Sequence, residues 1–402
     1  MAKKTIDQVD VKSKRVLMRV DFNVPLDDSG AITDDRRIVA ALPSIRSVIE
    51  RGGRLVLMSH LGRPEGKGFE SEYSLKPVAE RLRQLLPGVK VSITDKSPTG
   101  DGPRAMVEAM QDGEIVLLEN LRFNGAEERN DKNFAAALAR YGDIYCNDAF
   151  GTAHRDHASM VGVPQAMAGK PRVAGFLLRD EIKFLSGVLE KPAKPFIAVL
   201  GGAKVSDKIG VIRNLMGKVD AILVGGAMVY SFLKALDKNV GSSKAQLGML
   251  TDVKAMIDMA AASHTDLVLP SDHVCGKEIT RHTPIRVFED AIEDGWMGLD
   301  IGPKTVAAYG ARLSGAKTII WNGPMGVFET PPFDAGTRGV AEAIAKATKA
   351  GATSIIGGGD SAAAVEAFGM ESQFTHVSTG GGASLQMLEG KPFTSVGLLD
   401  EA

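Results

Sequence analysis

Cysteine is almost absent from this chain, with only Cys146 and Cys275 among 402 residues. The two residues are far apart and form neither a C-x-x-C pair nor a metal-ligand spacing, which excludes a disulfide scaffold and a cysteine-based metal site. An excess of basic residues is absent as well. The formal net charge is −1 at pH 7, so the chain as a whole has no positive charge to neutralise phosphate backbones or anionic lipids. We therefore expect a protein of the reducing cytoplasm that binds neither nucleic acid nor membrane surfaces.

Long hydrophobic runs are also missing. No stretch reaches the roughly 18 apolar residues of a membrane-spanning helix, and the N-terminal MAKKTIDQVDVKSKRVLM has no apolar core of signal-peptide length. Two signatures of phosphate chemistry are absent too, since there is no GxxxxGK[ST] loop and no HRD or DFG constellation. The sequence thus predicts a soluble, untargeted protein with neither a Walker-type nor a protein-kinase site.

What the chain does have is a regular alternation of apolar, β-rich runs with amphipathic helical stretches. The runs are RVLMRV (15–20), RLVLMSH (54–60), EIVLLEN (114–120), IYCND (144–148), PFIAVLGG (195–202), AILVGG (221–226), DLVLP (266–270), KTIIWNG (317–323), TSII (353–356) and FTHVS (374–378). Such near-continuous apolar character is typical of parallel strands covered on both faces, and the alternation predicts an α/β fold. A length of 402 residues predicts two domains. The helical run from Leu177 to Leu189 is the candidate linker.

The most informative stretch runs from Thr353 to Ser384. It holds two β-type runs, each followed by three glycines (357–359 and 380–382) and then by an Ala/Ser-rich helical segment. A strand that ends in a glycine turn before a helix lets backbone N–H groups approach an anion, so each turn is a candidate phosphate site. Asp360, beside the first turn, would suit Mg²⁺. The alternative is that the glycines only make tight turns.

The first glycine triplet also gives GGGDSA (357–362), which formally matches the dinucleotide-binding pattern G-x-G-x-x-A. That pattern requires an acidic residue about 20 positions further on, after the next strand. The chain reads HVSTGGG there and has no such residue. The sequence therefore disfavours a dehydrogenase.

In open parallel sheets ligands bind beyond the carboxyl ends of the strands, so the residues after each apolar run are the candidates. In the first half these residues are polar or cationic: Asp21, Asn23, Arg36, Arg37, His60, Arg63, Arg122 and Arg155. Guanidinium groups bind phosphate and carboxylate in a bidentate manner. Each residue alone has a plainer explanation, such as a solvated loop arginine or a structural histidine. Their recurrence at successive strand ends predicts a pocket for a small anionic molecule.

In the second half the strand ends are rich in glycine and poor in charge. In LGGAKVSDKIG the turn at Gly201 and Gly202 precedes Lys204 and Lys208, whose i,i+4 spacing predicts one face of a helix. Two lysines that project from a glycine turn can contact successive phosphates of a nucleotide. The alternative is a solvated helix face.

Two further segments fit the other parts of a nucleotide. VGGAM (224–228) offers a glycine surface for an adenine, and WNGPMGVFE (321–329) supplies Asn322 and Glu329 as hydrogen-bond partners for ribose, or alternatively only a proline-containing turn. The pattern predicts a small anion in the first half, a nucleotide in the second, and phosphoryl transfer between them.

Nine motifs together are similar to those of the phosphoglycerate kinase family, in that family's order: RVDFNVP, SHLGRP, LENLRF, NDAFGTAHR, LGGAKVSDKIGVI, GWMGLDIGP, WNGPMGVFE, GGGDSAAA and STGGGAS. The resemblance covers essentially the whole chain. It implies two Rossmann-like domains, each a parallel sheet flanked by helices, joined by a hinge helix with a cleft between them. Residues 1–172 would form the 3-phosphoglycerate-binding domain, with the tail 390–402 packing back on it, and residues 173–389 the nucleotide-binding domain. The resemblance also implies a monomer.

The activity that the resemblance implies is reversible phosphoryl transfer between 1,3-bisphosphoglycerate and MgADP, giving 3-phosphoglycerate and MgATP, by a phosphotransferase with a carboxyl group as acceptor. The glycerate would be bound by Asp21, Phe22, Asn23, Arg37, His60, Leu61, Gly62, Arg63, Arg122 and Arg155. Arg37 is preferred to Arg36 because the family's arginine directly precedes Ile, here Ile38.

By the same resemblance, the nucleotide would be bound by Gly201, Ala203, Lys204, Lys208, Gly225, Gly226, Asn322, Pro324, Glu329, Gly358, Gly359, Asp360 and Ser361, with Asp360 as the Mg²⁺ ligand. The catalytic residues would be Arg37, Lys204, Gly381 and Gly382.

An attacking carboxylate is already deprotonated and needs no general base, so alignment and charge neutralisation suffice, and we expect the domains to close around both substrates to exclude water. The alternative function is a non-catalytic nucleotide-binding protein on the same scaffold.

Overall fold

A computed structural model describes residues 2–402, and the chain divides into two units. The first unit comprises the residues up to Lys183 together with Pro392–Ala402, and the second comprises Phe184–Lys391. The division falls inside one helix, Phe176–Glu190, whereas the predicted boundary at 172/173 lies before that helix. The predicted linker, Leu177 to Leu189, is therefore helical.

The first unit is built on a six-stranded sheet in which all neighbouring strands are parallel. Its strands are β1 (Arg15–Val20), β2 (Arg54–Met58), β3 (Val91–Ile93), β4 (Ile115–Leu117), β5 (Ile144–Asp148) and β6 (Arg172–Ala174). Their order across the sheet is β3-β4-β2-β1-β5-β6. From Val16 to Val20 every residue of β1 is buried, which is the expected result of an apolar run at the centre of a sheet with both faces covered.

Helices cover this sheet and supply the rest of its core. They are α1 (Arg36–Ile49), α2 (Lys76–Leu85), α3 (Asp101–Glu108), α4 (Lys132–Ala139), α5 (Val163–Ala166) and α6 (Phe176–Glu190). In α1 the buried residues Ile38, Ala41, Ile45 and Val48 recur at helical spacing, so one face packs on the sheet. Asp131 caps α4 by accepting hydrogen bonds from the backbone N–H groups of the first turn.

The second unit contains another six-stranded parallel sheet and a separate three-stranded antiparallel sheet. The strands of the parallel sheet are β7 (Phe196–Leu200), β8 (Ala221–Val224), β9 (Asp266–Val268), β13 (Thr318–Asn322), β14 (Thr353–Gly357) and β15 (His376–Val377), in the order β15-β14-β13-β7-β8-β9. The antiparallel sheet consists of β10 (Asp272–Gly276), β11 (Ile285–Glu289) and β12 (Met297–Ile301), in the order β11-β10-β12.

The helices of the second unit are α7 (Ile209–Leu215), α8 (Val229–Ala235), α9 (Leu250–Ala262), α10 (Pro303–Ser314), α11 (Ala335–Lys349), α12 (Gly359–Ala367) and α13 (Gly382–Leu388). Its core gathers apolar side chains of the central strands with those of α10 and α11, around the fully buried Trp321. The indole Nε1 donates a hydrogen bond to the carbonyl of Gly323 (2.7 Å), so this large ring is buried with its polar group satisfied.

The last part of the chain, which includes α14 (Thr394–Gly397), belongs to the first unit. The backbone N–H of Lys4 donates to the carbonyl of Asp400 (2.9 Å), and that of Asp400 donates to the carbonyl of Arg172 (2.8 Å). Ser395 Oγ donates to the carbonyl of Ala153 (2.6 Å), beside the predicted Arg155. This tail is thus tied to the first unit by backbone and side-chain hydrogen bonds.

The predicted fold class is confirmed, because two parallel sheets flanked by helices make up the two units. The apolar runs of the sequence did not predict the short strands β3 and β6. They also did not predict the antiparallel sheet, which is inserted between β9 and α10. Among residues 2–402, no helix has the length and apolar character required to span a bilayer.

Each parallel sheet contains one position at which successive strands are added on opposite sides. In the first unit this switch lies between β1 and β5, and in the second it lies between β7 and β13. At such a position the loops after neighbouring strands diverge and leave a crevice where ligands bind. The fold therefore directs attention to the carboxyl ends of these strands.

Candidate active site

The loop after β1 carries the first predicted residues of the anion pocket. Arg37 Nη1 donates a hydrogen bond to Asp21 Oδ2 at 2.9 Å, and the Asp21 side chain is only 12% exposed. Arg36 instead pairs with Asp34 two residues away and is exposed. Of the two adjacent arginines, Arg37 is thus the one held at the strand end.

A buried network orients His60, which follows β2. Arg19 Nη2 lies 3.1 Å from His60 Nδ1, and because arginine can only donate, Nδ1 is the acceptor and the ring proton is on Nε2. Arg19 is 1% exposed and donates through Nε to Ser159 Oγ (2.9 Å), which donates to Glu127 Oε1 (2.5 Å). Glu127 thus balances the buried guanidinium through one hydroxyl.

The loop after β2 is held by neighbouring strand ends. Asn23 Oδ1 accepts from the backbone N–H of Gly62 (2.8 Å), and Arg122 Nη1 donates to the Gly62 carbonyl (2.7 Å). The Arg122 guanidinium is almost buried and also lies 3.1 Å from Glu128 Oε1. Phe22 and Leu61, which are neighbours of these polar residues in the sequence, have buried apolar side chains. They support the two loops and offer no side-chain polar group to a ligand.

Two predicted arginines remain available to a ligand. The guanidinium of Arg155 is partly buried, and that of Arg63 is exposed. Within residues 2–402 neither has a hydrogen bond or an ion pair through its side chain.

The histidines of this region stay neutral while the arginines supply its charge. Burial, and then the charges of Arg19, Arg122, Arg155 and Arg37, hold the pKa of His60 well below its usual range. Burial and neighbouring arginines likewise lower the pKa of His157 to about 4. The charges of all four arginines act on the same histidine at the end of β2. Hence the first unit gathers an arginine cluster, which we define as Arg19, Arg37, Arg122 and Arg155.

Sequence reasoning missed several residues of this cluster's surroundings. Arg19 carried a usable signal, because an arginine inside the apolar run RVLMRV has to be paired when the strand is buried. His154 and His157 lie on either side of the predicted Arg155 in the sequence, but neither was predicted to belong to the site. Glu127 and Ser159 gave no local signal.

In the second unit, three glycine-containing turns meet at the carboxyl edge of the sheet. Gly202 N–H donates to the carbonyl of Pro324 (3.0 Å), and Gly226 N–H donates to the carbonyl of Met325 (2.9 Å). A Cβ atom on Gly201 would lie 2.1 Å from the Pro324 oxygen, and one on Gly226, whose φ is +68°, would lie 2.4 Å from the nitrogen of Gly202. Glycine is required here because backbone packs directly on backbone.

This packing limits the predicted glycine surface for adenine. A Cβ on Gly225 would lie 2.3 Å from Met325 Sδ, so Met325 already covers this residue. Gly226, in contrast, lines an open cavity. Only part of VGGAM is therefore accessible to a ligand.

The predicted placement of Lys204 and Lys208 on one helix face is wrong. Residues Val205–Asp207 form a single 3₁₀ turn, and α7 begins only at Ile209. Lys204 has an extended backbone (φ −126°, ψ 124°) and is exposed, because the chain leaves the glycine turn before it can become helical. Lys208 Nζ donates to Asn322 Oδ1 at the end of β13. Burial lowers the pKa of this ammonium, and neighbouring carboxylates oppose the change.

The glycine triplet after β14 forms a strand-to-helix turn, as predicted. Gly357 ends the strand, Gly358 (φ +91°) precedes the helix, and α12 begins at Gly359. A Cβ on Gly359 would meet no atom within 4 Å, so this turn is open on one side. Ser361 is buried, and its Oγ accepts from the backbone N–H of Gly323 (2.6 Å). Asp360 is exposed in the first turn of α12.

The second triplet also precedes a helix, but a shorter one. α13 has seven residues and begins at Gly382, directly after Gly381. A Cβ on Gly381 would meet no atom within 4 Å. The role of these glycines as phosphate contacts stays a prediction.

A cavity of about 240 Å³ lies beside the glycine turns of the second unit. Its lining includes five residues predicted from the sequence, Ala203, Gly226, Pro324, Glu329 and Asp360. The other predicted nucleotide residues do not line it: Gly201, Lys204, Lys208, Gly225, Asn322, Gly358, Gly359 and Ser361.

The rest of the cavity wall consists of residues that were not individually predicted to bind the nucleotide. It includes Tyr230 on α8, His273 on β10, and Met297, Leu299 and Asp300 on β12. Four of these five residues come from the antiparallel sheet, which the sequence did not predict. The result is a largely apolar chamber with carboxylates at its exposed end.

Comparisons with known proteins agree with this arrangement. The family model described as phosphoglycerate kinase matches residues 6–391. The phosphoglycerate kinases of Rhodopirellula baltica and Chlorobium limicola are 54% and 51% identical to this chain, over 100% of both chains in each case.

Solved structures give the same result. The phosphoglycerate kinase from Coxiella burnetii matches with a TM-score of 0.89 at 40% identity, and that from Pyrococcus horikoshii with a TM-score of 0.83 at 31% identity. Each of these matches covers 98% of this chain and 98% of the other chain. The motifs, the two sheets and the relatives therefore agree, and the chain belongs to the phosphoglycerate kinase family.

Proposed function

We propose that this chain catalyses the reversible transfer of a phosphoryl group from 1,3-bisphosphoglycerate to MgADP, giving 3-phosphoglycerate and MgATP, a reaction of glycolysis and gluconeogenesis. The observation that carries the proposal is the arginine cluster at the switch position of the first sheet, because a small, highly anionic substrate requires such a site. Family membership over the whole length supports the same reaction. The alternative of a non-catalytic nucleotide-binding protein has no support in these relatives.

In the first unit, the free guanidinium groups of Arg63 and Arg155 bind the substrate phosphate and carboxylate, together with Arg37. Arg122 and Asn23 act mainly by holding the Gly62 loop in place, since both are bonded to its backbone. His60 donates through Nε2, because Arg19 occupies its Nδ1. Asp21 orients Arg37 through their 2.9 Å hydrogen bond.

In the second unit, the cavity holds the nucleoside part of ADP or ATP, and Glu329 bonds the ribose at its exposed end. The open turn at Gly359 and the ammonium group of Lys208 face the phosphates. The exposed side chain of Lys204 makes no hydrogen bond or ion pair within residues 2–402, so it can follow the phosphoryl group during transfer. Gly381 and Gly382 add backbone N–H groups to the same phosphate.

The protein needs no general base for this reaction. A substrate carboxylate attacks the phosphoryl group in its ionised form, so catalysis consists of alignment and of neutralising the three equatorial oxygens. Arg37 and Lys204 neutralise charge that is spread over those oxygens in the transition state.

Asp360 is suited to Mg²⁺ that arrives with the nucleotide. Within residues 2–402 no three His, Cys, Asp or Glu side chains cluster as metal ligands, so a preformed protein cage is not available. Mg²⁺ is commonly held by one or two carboxylates plus substrate phosphates, and Asp360, exposed on the cavity wall, provides such a carboxylate. When bound, the ion supplies charge neutralisation of the phosphates.

We also propose a monomer in the reducing cytoplasm that does not bind nucleic acid. Both cysteines are free and buried, which fits a compartment without disulfide formation. The balanced charge of −1 offers no basic surface excess.

A coupled assay tests the proposed reaction. Purified protein is mixed with 3-phosphoglycerate and MgATP, and ADP formation, which is common to every acceptor, is followed through coupling enzymes that oxidise NADH. Oxidation is expected with 3-phosphoglycerate and not with acetate or glycerate in its place. Equal rates with acetate would indicate another carboxylate kinase, and no rate with any acceptor would overturn the proposal.

A further inference from the structure

A short surface segment carries the two lysines that the proposed reaction uses. We call residues 204–208 the lysine turn. It consists of the extended Lys204, the 3₁₀ turn Val205–Asp207, and Lys208, the residue before α7. The Val205 side chain is buried, whereas Lys204 and Ser206 are exposed. A lysine on such a turn is held in one place only if the turn is also bonded to fixed structure.

Gln246 supplies such bonds from a distant part of the chain. Its Oε1 accepts a hydrogen bond from the backbone N–H of Ser206 (3.0 Å), and its Nε2 donates to Ser206 Oγ (3.1 Å). The first N–H groups of a helical turn have no acceptor within the turn, so this side chain satisfies one of them. Because the two bonds join one amide to one residue, they restrict rotation of the turn as well as its distance from Gln246.

Gln246 is itself fixed in the second unit. Its backbone N–H donates to Oγ of Ser231 (3.0 Å), a residue of α8 that is 1% exposed. Three residues earlier, Ser243 Oγ accepts from the backbone N–H of Gly298 on β12 (2.9 Å). The lysine turn is thus tied, through one side chain, to a helix and to the antiparallel sheet.

The bonded segments also contribute to the cavity wall. Lys244, two residues before Gln246, lines the cavity, and so does Ala203, the residue before the lysine turn. A nucleotide that fills the cavity therefore contacts the chain just before each of the two segments that Gln246 joins.

We propose that Gln246 is a positioning residue for phosphoryl transfer, which holds the lysine turn so that Lys204 extends toward the transferred phosphoryl group. The inference rests on the proposed function, in which Lys204 neutralises charge in the transition state. Gln246 acts through Lys204 and needs no contact with either substrate. Because hydrogen bonds between neutral groups contribute modestly, their loss should lower the population of the productive conformation several-fold rather than abolish the reaction.

Hydrogen exchange tests the contact itself, independently of catalysis. Gln246→Met keeps the length of the side chain and removes both bonds. In the full-length protein without substrates, the backbone N–H of Ser206 is expected to exchange about 3- to 10-fold faster in this variant, while the amides of α7 keep their rates. Unchanged exchange at Ser206 would contradict the bond, and faster exchange throughout α7 would indicate a general loss of structure instead; either result overturns the inference.

Steady-state kinetics test the effect on the reaction. With 3-phosphoglycerate and MgATP, kcat of Gln246→Met is expected to fall about 3- to 10-fold, whereas KM for 3-phosphoglycerate stays unchanged because that substrate binds in the first unit. Gln246→Glu is expected to keep most of kcat, since a carboxylate can accept from both the N–H and the hydroxyl of Ser206. Gln373→Ala, which truncates an exposed glutamine of the same unit, is the control and should leave kcat unaltered. The inference is wrong if kcat of Gln246→Met equals that of the unaltered enzyme.

A double-mutant cycle determines whether Gln246 acts through Lys204. If it does, Gln246→Met should cause no further loss of kcat in a chain that already carries Lys204→Ala, because no ammonium group is left to position. Equal losses in the presence and absence of Lys204 would show that Gln246 serves the structure in general, which a positioning role does not allow.

The failure of the inference and that of the proposed function can be told apart. If the unaltered enzyme forms no ADP from MgATP and 3-phosphoglycerate, the proposed reaction is wrong, and the role of Gln246 is wrong with it. If the enzyme is active and Lys204→Ala lowers kcat, but Gln246→Met does not, the reaction stands and only the role of Gln246 is wrong.

Discussion

Asp148 makes the stability of the first unit depend on pH in an unusual direction. It is the last residue of β5 and is 1% exposed. Its Oδ1 accepts a hydrogen bond from the backbone N–H of Leu178 (3.1 Å) in the first turn of α6, while Oδ2 has no partner within residues 2–402. Burial raises the pKa of this carboxyl to about 6, and the Ser44 hydroxyl and the backbone N–H groups of Leu178 and Leu177 oppose the rise only in part.

The sign and size of the effect follow from linkage. Because the pKa is higher in the folded state than the value of 3.8 in an unfolded chain, the stability contribution is fully present below pH 3.8 and is lost as pH rises through about 6. A difference of about two pKa units corresponds to about 3 kcal/mol in total, and about 2 kcal/mol of it falls between about pH 4.5 and pH 7.5. Asparagine has nearly the same shape and does not ionise. Relative to the unaltered protein, Asp148→Asn should therefore gain about 2 kcal/mol of stability over this interval.

The assay is urea-induced unfolding followed by far-UV circular dichroism at the two pH values, with the slopes compared so that only the midpoint carries the difference. Asp28→Asn is the control, because it removes the same charge from an exposed position of the same unit. The reasoning is refuted if the difference between Asp148→Asn and the unaltered protein is the same at both pH values or becomes less favourable at the higher one.

Three further predictions concern the two sites. Arg37→Ala should lower kcat about 100-fold while KM for the glycerate substrate changes little, whereas Arg36→Ala should be nearly silent; in the coupled assay, a raised KM at unchanged kcat would contradict the role of Arg37 in the transition state. Arg19→Met should destabilise the protein by about 3–5 kcal/mol because it leaves the buried Glu127 unpaired, and Glu127→Gln in the same chain should restore part of the loss in urea unfolding. Gly226→Ala should weaken ADP binding in calorimetry by at least about 10-fold, because its Cβ would collide with the adjoining glycine turn; unaltered affinity would show that the turns can separate.

Strand-level features of the fold were predictable from the sequence for a physical reason. A strand buried on both faces has to be apolar throughout, so RVLMRV, FIAVL and TIIWN are visible as runs of hydrophobic letters. The antiparallel sheet was not visible in this way. In β11 four of the five residues are exposed, and β10 contains Asp272 and His273, so neither strand has a continuous apolar run.

Some residues of the candidate site could likewise be predicted from the sequence, and others could not. Residues directly after an apolar strand, such as Asp21 and His60, were predictable because the topology brings strand ends together. The relative placement of Lys204 and Lys208 could not be predicted. A spacing of four residues fits a 3₁₀ turn followed by a helix as well as it fits one face of a single helix. His273 was out of reach because the sheet that positions it was not predicted.

The way in which the tail is attached has a consequence for how the protein is made. Residues 392–402 leave the ribosome after every residue of the second unit, yet Ser395 bonds Ala153 and the ring of Phe393 lies 6.5 Å from that of His154, next to the cationic site. During translation the segment that carries Arg155 therefore lacks part of its support until the whole second unit has emerged. The first unit can thus be completed only after synthesis of the second has ended.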